Sequence, residues 1–215
     1  MGPYPPLRLY RIPFSTNVER VALALAHKQS GNKGIEVEWV EVDPDDRSEV
    51  VRVSGQELVP VLVDGDRVLS DSPLILDYLE EKFPERPLFP ADPARRAEVW
   101  TFVDWFNRVW KRPPNLIVDE ESKPEPDRER IAELEHRIAD ALPLFESLLH
   151  GRDYLFGDEL SMADVIAFPF LKYAVLWEEG DEHRFHELLR DVQQLDDRYP
   201  RLEAWIHRID ALPRA

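Results

Sequence analysis

Residues 58–75 read LVPVLVDGDRVLSDSPLI, and this stretch decides the fold of the chain. A proline enters an apolar strand, and the pair Asp64-Gly65 is a strong turn signal before a second apolar segment. The helix that follows starts on Asp71 and Ser72, an acid and a hydroxyl of the kind found at helix N-termini. A strand entered through Pro60, a hairpin and a helix N-terminus predict, in this order, a site that suits a small extended peptide.

The residues before this stretch predict a strand, a helix and a second strand. Residues 7–10 and 36–42 alternate apolar and polar side chains, and residues 17–27 repeat apolar side chains at helical spacing. The length of the crossover suits a parallel pair of strands. Residues 43–57 show no clear period and are predicted to be irregular, whereas residues 72–83 carry one apolar helical face.

A proline-rich connector separates this α/β unit from the rest of the chain. Four prolines between residues 84 and 93 stop helices and stiffen the backbone. We therefore predict a first domain over residues 1–83, a linker over residues 84–93 and an all-helical domain over residues 94–215. Helical spacing within that second domain covers residues 94–110, 127–149, 161–177 and 200–212. Residues 111–126 are polar and proline-rich and are predicted to form a loop.

The charge balance and the hydropathy pattern exclude several partners. The chain has 43 Asp and Glu residues against 27 Lys and Arg, and its formal net charge of -16 repels phosphate backbones and anionic lipid surfaces. We therefore predict no nucleic acid and no membrane partner. No apolar run approaches the roughly 20 residues that cross a bilayer, and the N-terminus lacks the pattern of a signal peptide. The expected location is the cytoplasm.

The counts of cysteine and histidine limit the chemistry. The chain contains no cysteine, which excludes disulfides, thiolate metal sites and any reaction that needs a protein thiol. Its six histidines are scattered and show no ligand spacing beside an acid, so no metal site is predicted.

Four short stretches, taken together, carry a resemblance to a known family. They are PFSTNVERVALAL at residues 13–25, Val59-Pro60, Asp71-Ser72 and GDELSMAD at residues 157–164. In this order and spacing the chain resembles the cytosolic glutathione transferases of the serine type, nearest in pattern to zeta, tau and omega-like bacterial members. The resemblance covers residues 7–212. It implies a thioredoxin-like first domain, glutathione as co-substrate, an electrophilic small molecule as second substrate and a homodimer.

The resemblance also implies which residues hold glutathione. The peptide bond before Pro60 is expected to be cis, with the backbone of Val59 facing the cysteinyl part of glutathione. Asp71 and Ser72 are expected to bind the ammonium and the α-carboxylate of the γ-glutamyl group, beside a helix N-terminus that favours anions. Both residues can also be ordinary helix caps. Leu58 stands where relatives often have a polar residue, a contact that Gln56 or Glu57 could replace.

The catalytic residue implied by the resemblance is Ser15, as a hydrogen-bond donor to the glutathione thiolate. Thr16 and Asn17 are alternative donors in the same loop. A free thiol has a pKa of about 8.5, and lowering it by about 2 units costs about 2.7 kcal/mol. One hydrogen bond to a charged acceptor contributes about 1.5 to 3 kcal/mol, so a single hydroxyl with a helix N-terminus can suffice. Because the protein has no thiol, conjugation is favoured over mixed-disulfide reduction.

In the second domain, the resemblance implies two substrate-binding residues, and a local motif predicts a helix cap. Trp105 and Arg108 follow each other at helical spacing in the segment that borders the second-substrate site in this family, although such a stripe also fits core packing. Ser161 and Asp164 form the pattern of a capping box, which predicts a structural role at a helix N-terminus.

Two other functions remain open at this point. One is a glutathione-dependent isomerase of the maleylacetoacetate isomerase type, although those relatives carry a second serine and a cysteine where Thr16 and Asn17 stand. The other is a non-catalytic binding or scaffold protein built on the same fold.

Overall fold

The computed structural model describes residues 6–215, and these form two compact units. The first unit comprises the residues up to Leu88 together with Leu212–Ala215, and the second comprises Phe89–Ala211. The last four residues were predicted to belong to the helical domain but group with the first unit. Within that unit Arg214 pairs with Glu19 at 3.0 Å, and the N–H of Ala215 donates to the carbonyl of Ala22 at 3.2 Å.

The first unit is a thioredoxin-like α/β domain, which confirms the predicted fold class. Its elements are β1 (Leu7–Arg11), α1 (Thr16–Gly31), β2 (Val37–Glu41), α2 (Ser48–Ser54), β3 (Val61–Asp64), β4 (Arg67–Ser70) and α3 (Ser72–Lys82). The strand order is β2-β1-β3-β4. Strand β1 is parallel to β2 and antiparallel to β3, and β3 and β4 form the predicted hairpin. Gly65 adopts a φ of 58° in the turn, a conformation that glycine tolerates at low cost.

Two local predictions in this unit were incomplete. Helix α2 forms inside residues 43–57, which were predicted to be irregular. It has seven residues, no side-chain cap at Arg47 and one buried residue, Val50, so its sequence carries little helical period. Helix α1 runs on to Gly31, four residues beyond the apolar repeat that predicted it.

The stability of the first unit is expected to depend on pH through His27 of α1. Burial, assisted by the positive charges of Arg86 and Lys28, lowers the pKa of His27 from 6.5 to about 4. Between these two values the unfolded chain binds a proton that the folded chain does not, so the free energy of unfolding falls as the pH drops through this window. The loss is at most about 2 kcal/mol, because the ring is only partly buried and solvent screens its charge.

Urea unfolding of wild type and His27→Gln, at about pH 7 and about pH 4.5, measures this effect. The variant is expected to lose less stability on acidification than wild type. His150→Gln, at an exposed position, controls for the removal of a histidine. An equal loss in wild type and His27→Gln would contradict the prediction.

The second unit is helical, as predicted. Its helices are α4 (Pro93–Trp105), α5 (Arg112–Glu121), α6 (Arg128–Ala139), α7 (Leu142–Leu148), α8 (Met162–Leu171), α9 (Arg184–Val192) and α10 (Pro200–Asp210). A π-helical turn at Phe106–Trp110 follows α4, and a 3-10 turn at Lys172–Ala174 follows α8.

The predicted loop at residues 111–126 was wrong in its first part, where α5 forms. Pro113 and Pro114 stand in the first turn of α5, and both are buried. A proline in that turn lacks an N–H that would have no helical partner there, so it starts a helix as readily as it ends one.

Helix α8 is the centre of the second unit, because every one of its residues is buried. Its N-terminus carries the predicted capping box. The Asp164 carboxylate accepts from the backbone N–H of Ser161 at 2.9 Å and from the Ser161 hydroxyl at 2.6 Å. It also accepts from the N–H of Leu155 at 2.9 Å and from Nε1 of Trp205 at 2.8 Å. One buried carboxylate therefore ties three segments of the unit together.

Candidate functional site

Three segments that were predicted to bind glutathione lie at one end of the sheet. Register pairs Tyr10 of β1 with Val61 of β3, and Val61 with Ser70 of β4. The loop after β1, the residues before β3 and the start of the helix after β4 therefore meet at this end. They carry Ser15, the Val59-Pro60 pair and the Asp71-Ser72 pair, in that order.

The Val59-Pro60 peptide bond is cis, as the resemblance implied. Val59 and Pro60 are buried, whereas the preceding Leu58 is 73% exposed. The Gln56 side chain is hydrogen-bonded to the backbone of Leu58. The N–H of Leu58 donates to the Gln56 oxygen at 2.6 Å, and the Gln56 amide nitrogen donates to the Leu58 carbonyl at 2.7 Å. Gln56 therefore positions the backbone before Val59.

Asp71, the N-cap of α3, has a strained backbone conformation. Its φ is 82°, in a region that residues other than glycine seldom adopt. Its side chain makes no capping hydrogen bond and is exposed. Such strain costs about 1 to 3 kcal/mol and concentrates at functional sites. The Asp71 carboxylate is therefore accessible from solvent.

Ser72, the first residue of α3, is in a different environment from Asp71. It is fully buried, and its hydroxyl donates to the Asn17 amide oxygen at 3.2 Å. The same hydroxyl oxygen accepts from Nη1 of Arg20 at 3.4 Å. The hydroxyl is thus used within the protein. Pro73 has no N–H, so the backbone N–H groups of Ser72 and Leu74 in the first turn of α3 remain as anion donors.

Ser15 is the N-cap of α1. Its hydroxyl oxygen accepts from the N–H of Val18 at 3.4 Å, so its proton can be donated outward. The side chain is half-buried, whereas Thr16 is 6% exposed and the Asn17 oxygen is engaged by Ser72. Phe14, directly before Ser15, has a φ of 59°. Of the two predicted hydroxyl donors, Ser15 is the more exposed, and a second strained residue precedes it. Asn17 is also half-buried and would donate through its amide nitrogen, so it stays an alternative.

Trp105 and Arg108 lie in different environments within the second unit. Trp105 is half-buried, with its ring 5.7 to 6.4 Å from those of Phe102, Phe106 and Phe145. Arg108 is exposed and its Nε pairs with the Asp104 carboxylate at 2.7 Å. The π-helical turn that starts at Phe106 changes the rotation per residue, so the spacing assumed for a regular helix does not hold here. Their role in substrate binding stays a prediction.

Two negative findings concern residues 6–215. Over this range, no group of three or more His, Asp or Glu side chains is arranged to hold a metal ion. No helix in the same range has the length and apolar character needed to span a bilayer.

Comparison with known proteins agrees with the architecture. Residues 9–87 match the family model for the glutathione S-transferase N-terminal domain, and residues 128–208 match that for the C-terminal domain. A zeta-class glutathione S-transferase of Euphorbia esula is 33% identical over 194 residues, which cover 86% of this chain and 84% of that protein. FtsZ-localized protein A of Caulobacter vibrioides is 29% identical over 174 residues, 76% of this chain and 75% of that protein.

A solved structure shows the same fold. The tau-class glutathione S-transferase of mango, Mangifera indica, aligns with a TM-score of 0.74 and 21% identity, over 96% of this chain and 89% of that chain. A thioredoxin-like unit followed by a helical unit defines the class. The chain belongs to the glutathione S-transferase family, as its motifs predicted, and that family uses glutathione as co-substrate.

Proposed function

We propose that this protein is a glutathione transferase that activates the thiol of glutathione with the Ser15 hydroxyl and adds it to an electrophilic small molecule. The observation that supports this most is the convergence of three segments at one end of the sheet. A donor hydroxyl, the backbone before β3 and a helix N-terminus beside an exposed carboxylate are the groups that a γ-glutamyl peptide thiol requires.

The binding contacts divide along the length of glutathione. The backbone of Val59 receives the cysteinyl part, and Pro60 leads into β3. The first-turn N–H groups of α3 receive the γ-glutamyl carboxylate, and the exposed Asp71 carboxylate receives the ammonium. These contacts leave the sulfur facing the N-terminus of α1, where Ser15 stands.

The reaction needs a thiolate and no protein nucleophile. The Ser15 hydroxyl donates to the sulfur, and the N-terminus of α1 adds a favourable positive field, so the thiol loses its proton to solvent near neutral pH. The sulfur electron pair then forms a carbon–sulfur bond, and the displaced pair leaves with a leaving group or moves onto an acceptor atom that solvent protonates. Ser15 stabilises the negative charge before that step and stays unmodified.

Calorimetry with glutathione and conjugation assays with a panel of electrophiles test this function. We expect saturable glutathione binding and turnover of at least one electrophile class, such as an aryl halide or an α,β-unsaturated carbonyl compound. Absence of glutathione binding at millimolar concentration would contradict the proposal.

A glutathione-dependent isomerase is the second candidate, and the similarity to a zeta-class protein supports it. Thr16 and Asn17 differ from the serine and cysteine that isomerase relatives carry in this loop. The isomerase would use the same thiolate, which adds to a cis double bond and leaves after rotation. Turnover of a cis-diketoacid without net consumption of glutathione would identify it.

A scaffold role is a further alternative. The similar FtsZ-localized protein A is named for its location at another protein. The half-buried Ser15 hydroxyl and the exposed Asp71 carboxylate at the same end of the sheet favour an enzyme instead. A homodimer stays a prediction that rests on the resemblance, and a cytoplasmic location stays a prediction that rests on the hydropathy pattern.

Gln56→Ala is expected to raise the KM for glutathione about 5- to 20-fold with little change in kcat. The variant loses two hydrogen bonds that hold Leu58, each with a net contribution of about 0.5 to 1.5 kcal/mol, and these position the Val59 backbone. Steady-state kinetics against glutathione measures the effect. Asp66→Asn, exposed in the turn between β3 and β4 at the other end of the sheet, is the control. An unchanged KM in Gln56→Ala would contradict this role.

A further inference from the structure

A cavity of about 320 Å³ in the second unit is lined by three arginines, Arg152, Arg201 and Arg208. Arg152 lies in the segment between α7 and α8, whereas Arg201 and Arg208 lie on α10 with Ala204 between them. Residues spaced three and four positions apart share one face of a helix, so these α10 residues form one wall of the cavity. The small side chain of Ala204 leaves room between the two long ones. The volume suits a small molecule, since ligand sites run from about 300 to 1,000 Å³.

Each of the three guanidinium groups donates through its Nη1 nitrogen to a backbone carbonyl. The pairs are Arg152 with Leu155 at 3.4 Å, Arg201 with Glu146 at 3.3 Å and Arg208 with Asp153 at 2.6 Å. Within residues 6–215, the Nε atoms of these arginines make no hydrogen bond. A guanidinium presents its N–H donors in a rigid planar fork. The backbone therefore holds each group in place, and each group keeps donors for a ligand.

Acidic side chains compensate the positive charge of the cavity only in part. Nη2 of Arg208 lies 3.3 Å from the Asp153 carboxylate, and Nη1 of Arg201 lies 3.3 Å from the Glu146 carboxylate. The Glu146 carboxylate also accepts from the backbone N–H of Arg201 at 3.1 Å, so it is shared with the start of α10. Arg152 differs from the other two arginines, because the Leu155 carbonyl is its one polar contact within residues 6–215.

We propose that this cavity binds the phosphate group of a small phosphomonoester. Such a group carries a charge of about -1.5 to -2 at neutral pH and offers three acceptor oxygens to the three guanidinium groups, one more than a carboxylate offers. The formal net charge of -16 repels polyanions, so the anion is a small molecule. Asp158, exposed at the same cavity, provides an acceptor for a hydroxyl group on the organic part of the ligand. Every lining residue belongs to the second unit, and the inference is independent of the proposed glutathione chemistry.

Calorimetry with glycerol 3-phosphate, inorganic phosphate and glycerol separates the chemical groups that are recognised. Wild type is expected to bind glycerol 3-phosphate and not glycerol, and inorganic phosphate is expected to compete for the same site. Added salt is expected to weaken glycerol 3-phosphate, because the arginines are at least partly exposed and mobile ions screen their charges.

Three variants locate the site. Arg152→Gln is expected to weaken glycerol 3-phosphate about 10- to 100-fold, because it removes charge-assisted hydrogen bonds to the ligand and breaks no ion pair. Ala204→Leu keeps all three charges, fills the space between Arg201 and Arg208 and is expected to prevent binding. Arg137→Gln changes an exposed arginine of α6 outside the cavity and is the matched control, with an unchanged affinity expected. Urea unfolding verifies that each variant is folded.

Each outcome decides the proposal. Absence of glycerol 3-phosphate binding to wild type at millimolar concentration would overturn it, and so would an unchanged affinity in Arg152→Gln or Ala204→Leu. Equal losses in Arg152→Gln and Arg137→Gln would show that the overall charge attracts the anion and that this cavity does not. Binding of inorganic phosphate alone would overturn the assignment to a monoester. Where Ala204→Leu does not fold, Ala204→Gln replaces it, since a polar side chain of similar size suits this exposed helical position.

Discussion

Ser15→Ala is expected to slow conjugation about 10- to 100-fold at saturating glutathione, while glutathione still binds. The hydroxyl is the predicted donor to the thiolate, and a hydrogen bond to a charged acceptor is worth about 1.5 to 3 kcal/mol. The loss falls on kcat because the contacts along Val59 and α3 do not involve this side chain. Steady-state kinetics with one electrophile, at varied glutathione, measures it.

Two further variants make the Ser15 result specific. Ser30→Ala removes an exposed hydroxyl near the other end of α1 and is expected to leave both kinetic constants unchanged. Thr16→Val removes a buried hydroxyl next to Ser15 and is expected to have the smaller effect. A full rate in Ser15→Ala, together with a large loss in Thr16→Val, would move the donor role to Thr16.

Asp164→Ala is expected to destabilise the second unit by about 3 to 5 kcal/mol. The substitution leaves the buried donors of Leu155, Ser161 and Trp205 without their shared acceptor, and each unsatisfied buried group costs about 1 to 3 kcal/mol. Burial raises the pKa of Asp164, but these donors favour the carboxylate and oppose the rise.

Urea unfolding followed by tryptophan fluorescence measures this loss, since Trp205 is one of the donors. Asp164→Asn keeps the shape and one acceptor oxygen and is expected to fall between wild type and Asp164→Ala. Asp158→Asn, exposed in the same segment, is the control. A change below about 1 kcal/mol in Asp164→Ala would contradict a central structural role.

The sequence predicts the elements whose side-chain period is strong. Strands β3 and β4 follow from a clear turn between two apolar segments, and α8 follows from its capping box and apolar run. The missed elements have weak or ambiguous signals. Helix α2 buries one residue, and α5 starts with two prolines that are equally typical of a helix end. Helix α9 is amphipathic but short, with two buried leucines, Leu188 and Leu189.

The candidate site was predictable in part. Short local motifs contain Ser15, the Val59-Pro60 pair and Asp71, so these residues can be recognised from the sequence alone. Arg20 was not singled out, because Glu19 and Arg20 form a short charged pair directly before the apolar run of residues 21–26, and that pattern gives no sign that Arg20 is buried. Its contact with Ser72 joins residues distant in the chain, and only the packing of α1 against α3 shows it. The two hydrogen bonds between the Gln56 side chain and the Leu58 backbone depend on the backbone conformation of this segment, which the sequence pattern does not predict.

The pH titration of bound glutathione tests the central claim most directly. Thiolate absorbs in the ultraviolet where thiol does not, so a difference spectrum of the complex with wild type and with Ser15→Ala gives the pKa of the bound thiol. We expect a value about 2 units below the free-thiol pKa of about 8.5 in wild type, and a rise of about 1 to 2 units in the variant. A bound thiol that titrates like free glutathione in wild type would contradict the account.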